Sequence, residues 1–241
     1  MKQYKNLTII GTSHIAIESI KKVQQTLNSL DPELIALELD FERFKGLMSK
    51  QKHKFSFAEI KTLGIRGWLL NILGAWIEKS LGKRVGVKPG SEMKKAIYFS
   101  IKHQKEMALI DQDIKVTLKK LSKSLTLKEK VNFFVDIVKA IFQRNPEVSF
   151  DLKKVPDEQL IYELTKKVKK RYPSIYNILI KERDEYMAKN LYKILKRNKD
   201  KKILAIMGAG HEQKILDLIK KTKGDPKSRF VLVKPKLSTS S

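Results

Sequence analysis

The stretch NLTIIG at residues 6–11 is followed by IAIESIKKVQQTLNSL and then by ELIALELD at 33–40. The first is a short, mostly apolar run closed by a glycine, which reads as a buried strand. After it, Ile15, Ile17, Ile20, Val23 and Leu27 recur at helical spacing. Asp31-Pro32 breaks that helix before the second apolar run begins. Strand, amphipathic helix and strand in this order form a unit of parallel sheet, joined by a right-handed crossover. Such a sheet needs helices packed on its faces, so the expected class is α/β.

The rest of the chain is consistent with that frame. Residues 40–48 read as a short helix capped by Asp40, 66–81 as a longer one, and 91–104 as another, opened by Pro89, Gly90 and Ser91. EMALIDQD at 106–113 reads as a third strand. Helices are expected at 114–123, 127–143, 156–171, 174–180 and 182–197, with no convincing strand between 114 and 200. That stretch reads as a large helical insertion or cap between the third and fourth strands. KILAIMG then returns as a strand, 211–221 as a helix and RFVLVK at 229–234 as a last strand. One α/β domain over 1–234 is expected, ending in a polar tail at 235–241.

A chain of 241 residues can bury a substantial core. Lys and Arg outnumber Asp and Glu by 51 to 26, a net charge of +25 that attracts polyanions. The basic residues, Lys167, Lys169, Lys170, Lys196, Arg197, Lys201 and Lys202 among them, lack the interleaved aromatics of a base-stacking platform. A solvated surface with no specific nucleic-acid partner is therefore expected, and an anionic membrane surface remains open as a partner. Cysteine is absent, which excludes disulfides and thiolate metal sites. The N-terminus lacks signal-peptide features, and GWLLNILGAWI at 67–77 is about half the length of a bilayer span. A soluble, cytoplasmic chain is the expectation.

Sites in an open parallel sheet form beyond the carboxyl ends of the strands. Four turns place polar residues there: GTSH at 11–14, ELD at 38–40, DQD at 111–113 and GAGH at 208–211. His14 and His211 each have a structural explanation, and Thr12 and Ser13 are good helix caps. Yet two identical G-x-x-H turns among four histidines point to a shared site. If the two strands are neighbours, about 4.8 Å apart, both imidazoles can meet on one metal ion or one substrate atom. Glu38 carries a desolvation cost in an apolar run unless it is paired, metal-bound or at the open strand end. An ion pair with arginine or lysine is its competing explanation.

Asp40, Asp111 and Asp113 fit helix caps, the last two on the active edge. Arg43 suits a salt bridge or an anion clamp, and Arg43 and Asp184 are candidate substrate contacts. In IKERDEYMAKNL, Arg183 suits a substrate carboxylate or a developing oxyanion, against a surface charge cluster as the alternative. Tyr186, Met187 and Leu191 look like core. His53 and His103 lie in lysine-rich, exposed contexts.

GTSH, IALELDFERF, PGSEMKKAI, ALIDQDIKVTL, LIKERDEYMAKNL and ILAIMGAGH occur in an order that resembles the TraB family, the pheromone-shutdown proteins called PrgY. The resemblance spans roughly residues 6–215. It implies kinship with the Tiki proteins and, more distantly, ChaN and the erythromycin esterases, whose mark is two G-x-x-H motifs and an acidic residue. It implies a mixed, largely parallel sheet flanked by helices. For Tiki-like members it also implies metal-dependent peptide cleavage, with manganese or cobalt favoured and zinc possible. Matched residue by residue, the motifs fall on Gly11 and His14, Glu38, Arg183, and Gly208 and His211. Many members continue into membrane helices, whereas this sequence stops at Ser241, as a short member or an excised soluble domain beside an anionic leaflet would.

The expected function is a metal-dependent peptidase. His14 and His211 would hold a divalent ion, with Glu38 as third ligand or general base. Arg183 would stabilise the tetrahedral intermediate, and octahedral manganese would recruit Asp111. Two alternatives use the same cleft: metal-free water activation by histidine and Glu38, and sequestration of a peptide or pheromone signal without turnover. A homo-oligomer is compatible with each.

Overall fold

The computed structural model describes residues 1–13, 17–49, 88–142, 158–223 and 230–233. Strands β1 (Lys2–Tyr4), β2 (Leu7–Thr12), β3 (Leu34–Leu37), β4 (Glu106–Leu109), β5 (Ile203–Gly208) and β6 (Val231–Val233) form one sheet in the order β1-β2-β5-β3-β4-β6. The four central strands are parallel and both edge strands antiparallel. The class is thus α/β, with a mixed, largely parallel sheet as expected. The hairpin partner β1 is an addition to that expectation. It turns into β2 through Lys5, whose φ of 53° lies in the left-handed region.

Helices cover both faces because the central strands are apolar on both. Ile10, Ile35, Leu37, Leu204 and Ile206 meet Val23 and Leu27 of α1 (Ile17–Leu30) and Met93 and Ile97 of α3 (Ser91–Lys102). On the opposite face, Leu7, Ile9, Ile203, Ala205 and Met207 meet α8 (Glu182–Arg197) and α9 (Glu212–Lys221). The strand residues alternate between faces, as a pleat of period two requires. Met187, Leu191, Ile194 and Leu195 form the apolar stripe of α8, at the i, i+4, i+7, i+8 spacing of a helix face.

Between β4 and β5 the described chain is helical: α4 (Ile114–Ser124), α5 (Leu127–Phe142), α6 (Glu158–Arg171) and α7 (Pro173–Tyr176). A π-helical turn at Asn177–Lys181 carries α7 into α8. The remaining helix, α2 (Phe41–Met48), follows β3 and takes Asp40 as its cap.

Three expectations need correction. The strand expected over 106–113 ends at Leu109, and the run expected over 33–40 ends at Leu37, because the polar ends of both turn out at the sheet edge. Ile17 is 44% exposed rather than core, since α1 faces the sheet through Ser19, Val23 and Leu27. The helix expected at 66–81, the apolar stretch at 67–77, His53 and the tail at 235–241 lie outside the described residues. No helix among the described residues is long and apolar enough to cross a membrane.

Candidate functional site

All four parallel strands end at one edge of the sheet, and their order decides which turns meet there. β5 lies between β2 and β3, with Thr12 in register with Gly208 and Leu37 with Ile206. Gly11 and Thr12, which open the first G-x-x-H motif, therefore lie beside Met207 and Gly208, and Glu38 stands next to the second motif.

The turns are stitched together by backbone and side chain. The Ala209 N–H donates to the Thr12 carbonyl at 2.9 Å, and the Thr12 hydroxyl donates to the Met207 carbonyl at 3.1 Å. Thr12 thus bridges strands rather than capping a helix, while the Ser13 N–H donates to buried Ser19 Oγ at 2.8 Å. This close approach explains Gly11: a Cβ there would lie 2.8 Å from Ala209 Cα and 2.5 Å from Glu212 Oε2. Gly208 differs, because a Cβ there would meet Glu38 Oε2 and His211 Cδ2 at an ordinary 3.5 Å. His14 itself lies outside the described residues.

Glu38 is 2% exposed. Its N–H extends the β3–β5 ladder by donating to the Ile206 carbonyl at 3.0 Å, and its Oε2 accepts from the Gly208 N–H at 2.6 Å. Oε1 accepts from Arg183 Nη2 at 2.6 Å. The same guanidinium grips Asp111 through Nε and Nη2, while Nη1 donates to the Leu179 carbonyl inside the π-helical turn at 3.1 Å. Every nitrogen of Arg183 is engaged. Burial opposes its positive charge, but Asp111 and Glu38 outweigh that and hold the guanidinium pKa above its ordinary value.

Asp111 also accepts from Arg43 Nη1 at 3.1 Å and from the Gln112 N–H at 2.8 Å. Four donors meet its four acceptor positions, so it is an ion-pair hub rather than the helix cap expected above. Asp113 does cap α4, through the Lys115 N–H at 2.7 Å. Asp40 Oδ1 caps α2 by accepting from the Glu42 and Arg43 N–H groups, and its Oδ2 is buried with no partner. Burial raises the Asp40 pKa above its ordinary value against those backbone bonds.

His211 completes the cluster. Its Nδ1 lies 2.5 Å from Asp184 Oδ1, and its Nε2 lies 3.6 Å from Glu38 Oε1. Asp184 is 2% exposed and meets the His211 ring from beneath the surface. Burial pushes the Asp184 pKa up despite His211. For His211, burial works downward, but Glu38 and Asp184 outweigh it and the net shift is upward. Two guanidiniums, Arg43 and Arg183, face three carboxylates, Glu38, Asp111 and Asp184.

The Asp184–His211 contact had a sequence signal. Asp184 stands three residues before Met187 and four before Ala188, on the stripe that α8 buries. Tyr186, expected in the core, is half-buried instead and lines a cleft beside Asp111. His103 is exposed, as expected, and packs on Phe99.

A sequence model of the TraB/PrgY/gumN family matches residues 2–223. An uncharacterized protein of Methanocaldococcus jannaschii is 34% identical over 220 residues, which cover 90% of this chain and 54% of that protein. TraB domain-containing proteins of Bos taurus and Homo sapiens are 21% and 20% identical, each match covering 78% of this chain and 52% of the relative. The chain spans about half the length of the curated relatives it matches.

Proposed function

This chain belongs to the TraB/PrgY/gumN family, and from that premise we propose that it is a hydrolase that cleaves peptides at the carboxyl edge of its sheet. The observation that carries the reading is the orientation of His211. With Nδ1 held by buried Asp184, the other ring nitrogen faces Glu38 at 3.6 Å. A histidine fixed by a carboxylate on one nitrogen and turned toward an acidic group with the other suits either metal ligation or proton transfer.

The donor chemistry fits a divalent ion such as manganese, cobalt or zinc. His211 Nε2 and Glu38 Oε1 present one nitrogen and one oxygen donor 3.6 Å apart. His14, two residues after Thr12 in the first G-x-x-H motif, would supply the third donor. Asp111 does not fit as an additional ligand, since all its acceptor positions are taken. When bound, such an ion would supply an activated water and polarise a peptide carbonyl.

The protein's own groups divide the remaining work. Asp184 fixes the ring of His211. Arg183 spends four of its five N–H groups on Glu38, Asp111 and the Leu179 carbonyl, so we assign it to positioning rather than to charge stabilisation. Arg43, bonded through one nitrogen only among the described residues, is the better-placed cation for a substrate carbonyl or carboxylate.

The test pairs metal content with cleavage. Protein reloaded with manganese, cobalt or zinc should hold stoichiometric metal that His14→Ala and His211→Ala both lose, and should fragment a mixed peptide library in mass spectrometry. Cleavage without metal would assign the reaction to His211 and Glu38 alone. Intact peptide held without turnover, with or without metal, would replace hydrolysis by sequestration.

A further inference from the structure

Beside the Arg183 cluster, a cleft of about 230 Å³ opens between the ends of β3 and β4, the start of α2 and one turn of α8. Its polar lining is wholly acidic: Asp40, Glu42, Asp111 and Asp113. Phe41, Leu109, Tyr186 and Val231 make its apolar walls. Such a lining is unusual on a chain of net charge +25.

The carboxylates are not equally available. Asp111 is neutralised by Arg183 and Arg43. Asp40 is 4% exposed, and with Oδ1 engaged by the helix cap its Oδ2 has no hydrogen-bond partner among the described residues. A buried, unpartnered carboxylate oxygen costs stability unless a ligand or proton meets it. Asp113 is exposed, with Oδ1 on its own helix cap, and Glu42 is within 3.6 Å of Lys45 at the surface.

We propose that this cleft is a recognition pocket for an organic cation, the guanidinium or ammonium of a basic side chain on the substrate. The volume suits one long side chain and falls below the ~300–1,000 Å³ of drug-sized ligand sites. Aromatic walls with carboxylates at the rim recognise ammonium and guanidinium groups through ring faces and charge together. Lys45 Nζ, one turn along α2, sits 4.4 Å from the centre of the Phe41 ring. Asp111 joins the cleft to Arg183 and through it to Glu38, so a side chain lodged here would present its own backbone to the catalytic edge.

Only the naming of the cation as part of a peptide rests on the hydrolase reading; the pocket itself can be measured without turnover. n-Butylguanidinium, n-butylammonium and neutral n-butylurea would be titrated into the full chain and followed by NMR. Long-range repulsion by the positive surface works against the two cations, so their binding would report the local pocket. Both cations should bind at least about tenfold more tightly than the urea, a difference of about 1.4 kcal/mol. Glu42→Gln combined with Asp113→Asn should erase that difference while leaving thermal unfolding in place, as both side chains are exposed and Asn also caps helices. Asp40→Asn should weaken the cations independently. Equal affinity for cations and urea, or unchanged affinity in the variants, overturns the proposal, and displacement of the cations by equimolar manganese overturns it in favour of a metal pocket. Cation binding without peptide cleavage would remove the hydrolase and keep the pocket.

Discussion

Arg183 holds Asp111 in a two-pronged grip, Nε to Oδ1 at 3.0 Å and Nη2 to Oδ2 at 2.7 Å, and the same Nη2 reaches Glu38 at 2.6 Å. One side chain thereby joins the ends of β3 and β4 to the helix that covers them. Removing it leaves two buried carboxylates without their main cation. Arg183→Ala should lower unfolding stability by about 3–5 kcal/mol in urea titrations, as loss of one partner of a buried ion pair does. Arg183→Lys should recover only part of it, since an ammonium cannot reproduce the planar fork. Arg43→Ala, which removes one partly exposed bond, should cost about 1 kcal/mol or less. Equal losses for Arg183→Ala and Arg43→Ala would contradict the assignment.

Glu38 and Asp184 around His211 set a pH dependence whose sign follows from the upward shift at His211. The folded protein binds that proton more tightly than the unfolded chain, whose histidine sits near 6.5. The resulting stabilisation is complete below pH 6.5 and is lost as pH rises through the raised value. Asp184, also shifted up, acts in the same sense on the acid side, with its share complete below 3.8. Asp184→Asn removes a group that favours the imidazolium, so the His211 pKa should fall. Urea midpoints between about pH 6 and 9 should decline in the parent and flatten in the variant. Parallel curves would show that Asp184 does not govern the His211 proton.

The two motif glycines should respond differently to the same substitution. At Gly11 an alanine methyl would press on the Ala209 backbone at 2.8 Å, which must shift to admit it. Gly11→Ala should destabilise by about 1–3 kcal/mol, the usual cost of overpacking. At Gly208 the methyl meets ordinary contacts at 3.5 Å, and Gly208→Ala should stay within about 1 kcal/mol of the parent. Thermal unfolding of the two variants in parallel decides this, and equal destabilisation would remove the distinction.

Asp40 has separable roles. Its Oδ1 caps α2 at 2.9 and 3.0 Å, so Asp40→Ala should cost about 0.5–2 kcal/mol while Asp40→Asn keeps the cap and most of the stability. Unfolding curves for the pair separate the cap from the charge. A loss in Asp40→Asn as large as that in Asp40→Ala would mean that the charge, not the cap, holds the helix.

The elements were legible because period and punctuation are local. LTIIG, LIAL and ILAIMG lie in strands. Asp40 and Asp113 begin helices, for the short-range reason that a carboxylate next to exposed N–H groups caps them. The antiparallel β1 was missed because three half-exposed polar residues have no pattern of their own until β2 supplies hydrogen bonds. Asp111 read as a cap because its true partners, Arg43 and Arg183, lie 68 and 72 residues away.

Which polar turns would share an edge was not a local matter. The amino-acid sequence by itself determined an α/β chain with acidic, basic and histidine-bearing turns after its apolar runs, since hydrophobic periodicity and capping act within a few residues. The tertiary structure decided that β5 inserts between β2 and β3. That insertion seats Glu38 against Gly208 and His211, sets Thr12 beside Gly208 and brings Arg183 down from α8 onto two carboxylates. The physical reason is that strand order is set by the burial of both sheet faces under helices at once, a condition on the whole chain that no single stretch of it can express.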